Sequence, residues 1–136
     1  MNYGDAIRFL QGLQVFGARF GLETMERLAD LAGHPERRLR FLHVAGTNGK
    51  GSTCAMLESL LRAAGLRVGL YTSPHLVSFT ERIQIDRQPI PEPAVARLVA
   101  EMLPLLQSLP PGSPPTFFEA VTLLALLWFA EQGCEV

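Results

Sequence analysis

The sequence lacks several features that mark whole classes of proteins. Its two cysteines, Cys54 and Cys134, are too few for a disulfide framework, and a net charge of −1 gives no general attraction to nucleic acid or anionic membranes. The longest apolar run, residues 117–130, contains Glu119 and is too short to cross a bilayer. Residues 1–5 lack the basic and apolar regions of a signal peptide. We therefore expect a cytoplasmic protein without nucleic-acid or membrane partners, acting as a monomer.

What the chain does have is enough apolar sequence for a core. Its 136 residues, 48% of them hydrophobic, suit one α/β domain. The apolar residues 41–45 predict a buried strand, residues 52–64 a helix with Met56, Leu57, Leu60 and Leu61 inward, and residues 66–71 a second strand. This order predicts a parallel pair with a right-handed crossover, whose ligands bind beyond the carboxyl ends of the strands.

Further helices are predicted on both sides of this unit. Asn2 can cap a first helix, and a second covers residues 22–31, with a loop over residues 14–20 between them. A helix over residues 92–109 contains Pro104, which should kink or divide it. Alternating residues 82–86 predict an edge strand or a hairpin arm.

The turn between the first strand and its helix has the composition of a phosphate-binding loop. Glycines permit φ > 0 and close approach of a ligand, the helix N-terminus offers unpaired N–H groups, and Lys50 adds a mobile positive charge. The pattern is not the strict P-loop, because Val44 stands at its first glycine and Gly51 separates Lys50 from Ser52. A glycine-rich connection that binds nothing is the alternative. The candidate ligand-binding residues are Gly46, Thr47, Asn48, Gly49, Lys50, Gly51 and Ser52.

The string Gly-Thr-Asn-Gly-Lys-Gly-Ser at residues 46–52 resembles the ATP loop of the Mur ligase family, most closely its folate branch, the folylpolyglutamate and dihydrofolate synthases. The stretches Tyr-Thr-Ser-Pro-His at 71–75, Phe-Thr-Glu-Arg-Ile at 79–83 and Thr-Phe-Phe-Glu at 116–119 extend the resemblance. It implies a P-loop-containing three-layer fold with a mostly parallel sheet. It also implies that residues 1–136 are the N-terminal part of an ATP-binding domain, without the remainder of that domain or a C-terminal glutamate-ligase domain.

The resemblance assigns roles to individual side chains. Lys50 is the implied catalytic residue on the ATP phosphates, and Ser73 the implied Mg²⁺ ligand. The implied substrate-binding residues are His75, Arg82, Thr116, Phe117, Phe118 and Glu119.

The residues by themselves also allow structural explanations. Ser73-Pro74 is an ordinary turn signal, His75 and Arg82 can be solvated surface residues, and Thr116 with Glu119 fits a helix capping box. The chain also departs from the bifunctional relatives, which tend to have an aspartate where Arg19 stands. That departure weakens any preference for dihydropteroate.

The implied reaction is ATP-dependent ligation of L-glutamate to folate or dihydropteroate through an acyl phosphate, with ATP and Mg²⁺ as cofactors. Two alternatives stay open: a Mur-type ligase of another substrate, and a nucleotide-binding module without chemistry.

Overall fold

A computed structural model describes residues 1–19 and 21–136 of the chain. Phe20, the last residue of the predicted 14–20 loop, lies outside this description, and residues 14–16 of that loop belong to a 3₁₀ turn that begins at Leu13. The described residues form five α-helices and three short strands. In chain order these are α1 (Tyr3–Gly12), α2 (Glu23–Leu31), α3 (Lys50–Ala63), β1 (Gly69–Tyr71), β2 (Ile83–Ile85), β3 (Gln88–Pro89), α4 (Glu92–Gln107) and α5 (Phe117–Glu131).

The core of the protein is helical, and α5 lies at its centre. This helix packs against α1, α2 and α4, with its own Leu123 and Leu124 fully buried. Helix α1 begins as predicted, since the Asn2 side chain accepts a hydrogen bond from the Asp5 N–H, and its Leu10 is fully buried in the same core. Helix α4 continues through Pro104 and ends at Gln107, so Pro104 does not divide this helix, and the predicted kink stays a prediction. None of the helices over the described residues is long and apolar enough to span a bilayer.

The small sheet is antiparallel, and among the described residues the predicted parallel pair of residues 41–45 with 66–71 is not formed. Its order is β1-β2-β3, with Gly69 opposite Ile85 and Gln84 opposite Pro89. The prediction of a hairpin arm at residues 82–86 is confirmed, but β2 is the middle strand of the three and not an edge. The turn between β2 and β3 consists of Asp86 and Arg87, both with positive φ, as in a two-residue β-hairpin loop.

Residues 41–45 are not a buried strand in this structure, so that prediction is wrong. No strand is assigned to them, and the side chains of Phe41 and Leu42 are 58% and 56% exposed. They line a largely apolar cleft of about 360 Å³ whose other walls are β1, α3 and α5. A β-strand becomes buried only when neighbouring strands and helices cover it, and no described strand pairs with these residues.

The last residues of the chain run beside β1 at the far wall of this cleft. The Gly69 N–H donates to the Val136 carbonyl at 2.8 Å, and the Glu135 N–H donates to the Arg67 carbonyl at 2.8 Å. A weaker bond joins the Val136 N–H to the Arg67 carbonyl at 3.5 Å, so the bonds flank Val68 as in a parallel ladder. Residues 135–136 therefore run in the direction of a parallel neighbour of β1.

Helix α3 begins at Lys50, two residues earlier than predicted, and presents a different face. Met56 and Leu60 were predicted to point inward, yet they are 60% and 69% exposed. The buried residue of this helix is instead Glu58, whose side chain accepts hydrogen bonds from Arg62 at 2.9 Å and from Arg87 at 2.6 Å. Because Arg87 lies in the β2–β3 turn, this ion pair fastens α3 to the sheet.

Candidate functional site

The turn before α3, residues 46–49, is open and its backbone is shaped by glycine. Gly46 has φ 150°, and Gly49 is the residue before the helix, with φ 76° in the left-handed region. No side chain caps α3, so its first N–H groups face the turn. A Cβ atom placed on Gly49 or Gly51 would meet nothing within 4 Å, and all of residues 45–53 are exposed. The bend therefore offers free N–H donors and free space.

Lys50 is the only lysine of the 136 residues, beside eleven arginines. It lies in the first turn of α3 and is exposed. Within the part of the chain that the structure describes, its side chain forms no hydrogen bond or ion pair. Its ammonium group is therefore available to a negatively charged ligand seated over the helix N-terminus.

The loop that follows β1, residues 72–78, carries two of the predicted site residues. Ser73 is exposed, and His75 is half-buried. The Arg82 Nε–H donates to His75 Nδ1 at 2.8 Å, so the imidazole proton lies on Nε2, and the Thr72 N–H donates to the Arg82 carbonyl at 3.0 Å. His75 and Arg82 are therefore not independent surface residues, because the structure joins them directly.

An aromatic cluster surrounds this pair. The His75 and Phe117 rings both lie edge-on to the Phe79 ring, with centroids 6.2 and 6.5 Å from it, and the Arg82 guanidinium lies 5.2 Å from the centre of the Phe117 ring. The structure thus assembles three of the predicted substrate residues, His75, Arg82 and Phe117, around the buried Phe79. Such an arrangement presents a flat aromatic surface beside a cation.

Phe118 belongs to a second aromatic pair on the same helix end. It is 61% exposed and is stacked on Tyr71, with centroids 6.3 Å apart and ring planes at 27°. The Tyr71 hydroxyl bonds Thr122 at 3.1 Å, and burial raises the pKa of Tyr71 although this hydrogen bond opposes the rise. Phe118 therefore presents a supported but open ring.

Thr116 and Glu119 form the capping box of α5, which confirms the structural interpretation of this motif. The Thr116 N–H donates to Glu119 Oε1 at 2.9 Å, and the Glu119 N–H donates to Thr116 Oγ1 at 3.1 Å. Both residues are buried, and Glu119 Oε2 lies 4.0 Å from the Arg19 Nε. Arg19 also donates to the Thr24 hydroxyl and the Pro114 carbonyl. Thr116 Oγ1 and Glu119 Oε1 are thus engaged in the cap, and a substrate contact from this pair stays a prediction.

The described residues contain no cluster of three histidine, cysteine, aspartate or glutamate side chains that could hold a metal ion. Mg²⁺ bound with a nucleotide needs few protein ligands, since phosphate oxygens and waters fill most of its six positions. An exposed hydroxyl such as that of Ser73 fits this donor set chemically.

One anchoring residue was not singled out by the sequence. The Glu81 carboxylate accepts hydrogen bonds from the backbone N–H groups of Leu76, Val77 and Ser78 at 2.8–3.0 Å. These bonds, led by the one from Ser78, hold the pKa of Glu81 below its usual value. A signal was present, because Ser78-x-x-Glu81 is the capping-box pattern and the structure forms both of its bonds.

Comparison with known proteins places this geometry in a family. No protein-family model matches the chain. It is 44% identical over 131 residues, 95% of its length, to the dihydrofolate synthase/folylpolyglutamate synthase of Bacillus subtilis, of which it covers 30%. The crystal structure of folylpolyglutamate synthase from Thermotoga maritima matches with a TM-score of 0.89 and 37% identity, over 98% of this chain and 31% of that one. A solved structure of folylpolyglutamate synthase (FPGS) in complex with the ATP analogue AMPPCP and folate matches with a TM-score of 0.77 and 36% identity, over 100% of this chain and 34% of that one.

The fold therefore identifies an α/β protein of the Mur ligase class. Within that class, the chain is similar over nearly its whole length to folylpolyglutamate and dihydrofolate synthases. It spans about a third of the length of the relatives described above.

Proposed function

We propose that the chain is the N-terminal, ATP- and folate-binding part of a ligase that adds L-glutamate to folate or dihydropteroate. The single observation that carries this proposal is the open bend at residues 46–52. Its glycines leave free space, its helix N-terminus is uncapped, and the only lysine of the chain stands at its edge. A triphosphate is the ligand that suits these three features together. The ATP analogue and folate named for a structural relative agree with this choice.

The proposed reaction has two steps. The folate carboxylate attacks the γ-phosphorus of ATP, the bond to the β-phosphate oxygen breaks, and an acyl phosphate and ADP form. The amine of glutamate then attacks the acyl carbon, loses a proton and expels inorganic phosphate, which leaves an amide. Mg²⁺, held in part by Ser73, would neutralise phosphate charge during the first step. We also propose that the complete ATP-binding domain of this ligase contains a mostly parallel sheet.

The residues of this chain would stabilise the charge of the phosphoryl group and position the folate substrate. Carboxylate and γ-phosphate repel each other, so we assign Lys50 and the N–H groups of residues 46–52 to stabilise the negative charge of the transferring phosphoryl group. Arg82 keeps its two terminal amino groups for a substrate carboxylate, because only its Nε–H bonds His75. The rings of Phe117 and Phe118 would form one wall of the pterin and aminobenzoate pocket.

The experiment compares nucleotide binding with turnover. Calorimetry of the 136-residue chain should detect binding of Mg·ATP, and Mg·ATP should protect Lys50 from an amine-reactive reagent, read out by mass spectrometry. Because Lys50 is the only lysine, the N-terminal amine is the internal reference. Absence of both effects would refute the proposal.

Turnover is measured on a chimera in which this chain replaces the matching residues of the Bacillus subtilis relative. Lys50→Ala should lower glutamate ligation by about a hundredfold or more, the loss expected when one transition-state donor is removed. The exposed Arg38→Ala removes the same charge elsewhere and should leave the rate unchanged. Assays with folate and dihydropteroate distinguish the two substrates. A nucleotide-binding module without chemistry would show ATP binding by the chain and no ligation by the chimera.

A further inference from the structure

The 72–78 loop is held in place by polar contacts and not by burial. Its tip residues Leu76 and Val77 are 93% and 89% exposed, so the apolar packing that usually fixes a loop is absent there. The two N–H groups of this tip both point back to the carboxylate of Glu81, at 2.9 and 3.0 Å, and the Ser78 N–H joins them at 2.8 Å. The shape of the tip therefore depends on one side chain.

Neighbouring contacts fix the other end of the same loop. The Thr72 N–H donates to the carbonyl of Arg82, and the Arg82 side chain donates to His75. Ser73 and Pro74 thus lie between anchored positions on both sides, although Ser73 itself is exposed. The short 3₁₀ turn Phe79–Arg82 carries both anchors, and the buried Phe79 fastens that turn to the core.

A carboxylate is the group that this arrangement requires. Glu81 accepts three N–H donors through two oxygens, Oε1 from Leu76 and Oε2 from Val77 and Ser78. Hydrogen bonds to an ionised acceptor are stronger than those between neutral groups. A glutamine has the same shape but only one acceptor oxygen, and its amide nitrogen would meet N–H groups that also need acceptors.

We propose that Glu81 is a positioning residue, which holds the 72–78 loop so that Ser73 and His75 face the bound nucleotide and substrate. This inference rests on the proposed function, because it assigns to the loop a task in ligand binding. Glu81 itself touches backbone only and would act through the two loop residues.

The test uses two measurements on the 136-residue chain and its Glu81→Gln variant. Amide hydrogen exchange across Leu76, Val77 and Ser78 should become about tenfold faster or more in the variant, because the acceptor loses its charge and one amide oxygen replaces two carboxylate oxygens. Calorimetry with ATP, in MgCl₂ and separately in EDTA, reports the ligand role. Glu92→Gln is the matched control, since Glu92 is an exposed carboxylate in the first turn of α4.

The expected result separates metal-dependent from metal-free binding. Glu81→Gln and Ser73→Ala should each weaken Mg·ATP binding by about ten- to a hundredfold, the usual effect of losing a metal ligand or the group that orients it. ATP binding in EDTA should stay unchanged, because residues 46–52 are untouched. A merely structural role would alter exchange without this selective loss.

The outcomes that overturn the inference differ from those that overturn the proposed function. Unchanged exchange at the three amides, or faster exchange with normal Mg·ATP affinity, overturns the role of Glu81 and leaves ATP binding intact. Failure of the unmodified chain to bind ATP overturns the proposed function, and with it the ligand role of the loop. The exchange measurement then still shows whether Glu81 holds the loop.

Discussion

Replacing Gly69 by alanine tests whether β1 and α5 approach as closely as the structure shows. A Cβ atom on Gly69 would lie 2.7 Å from Cδ1, 2.8 Å from Cε1 and 2.9 Å from Cγ of the Phe129 ring. Carbon atoms pack best at about 3.5–4.0 Å, so the new methyl group would be about 1 Å too close to three ring atoms. Phe129 is buried, which leaves its ring little room to move away.

Two effects set the magnitude of this change. Overpacking of a core ordinarily costs about 1–3 kcal/mol. Removing a glycine from a strand ordinarily gives back about 0.5–1 kcal/mol. We therefore expect Gly69→Ala to lower the free energy of unfolding by about 1–2 kcal/mol, which corresponds to roughly 3–8 °C in Tm for a domain of this size.

Urea denaturation followed by circular dichroism measures this loss. Gly12→Ala is the matched control, because a Cβ atom there would meet nothing within 4 Å. That variant should be as stable as the unmodified chain, or more stable by about 0.5–1 kcal/mol. The double variant Gly69→Ala with Phe129→Leu should lose less than the sum of the single losses, because the smaller side chain makes room for the methyl group. A fully stable Gly69→Ala protein would refute the close contact.

Two further predictions concern ionisable groups in the core. Burial acts to raise the pKa of Glu58, but hydrogen bonds from Arg62 and Arg87 outweigh it and hold this pKa below its usual value. The ion pair therefore stabilises the fold above a pH of about 4.5, and this stabilisation is lost as the pH falls through the lowered pKa. The loss of unfolding free energy caused by Glu58→Gln, measured by urea denaturation, should therefore become smaller at lower pH. A loss that does not depend on pH would contradict this. Burial also raises the pKa of the Cys134 thiol to about 11. A disulfide reagent at pH 8 should therefore modify the half-buried Cys54 first and Cys134 only on unfolding, and equal rates in the folded protein would be the contrary result.

The helix ends and the glycine loop were predictable because their signals are local. The cap of Asn2 on α1 and the capping box of Thr116 with Glu119 depend on atoms three residues apart, so the sequence contains both partners. The left-handed glycine at residue 49 follows from the same kind of short-range rule. These features persist whatever the rest of the chain does.

The strand pairing and the buried faces were not predictable in this way. Residues 41–45 have the composition of a buried strand, yet Phe41 is exposed, because burial depends on partners that come from elsewhere. Helix α3 has apolar residues at helical spacing, but its buried side chain is Glu58. That carboxylate is accommodated by Arg87, 29 residues further along the chain.

The sequence by itself therefore determined the caps of α1 and α5, the glycine-shaped bend with its single lysine, and the resemblance to a family. Tertiary structure alone decided that β1 pairs antiparallel with β2 and that His75 and Arg82 meet beside Phe117. The physical reason is the number of residues that separate the two partners of each contact along the chain. Caps and turns are completed within a few residues, whereas a strand edge or an aromatic cluster takes its form from segments that only folding brings together.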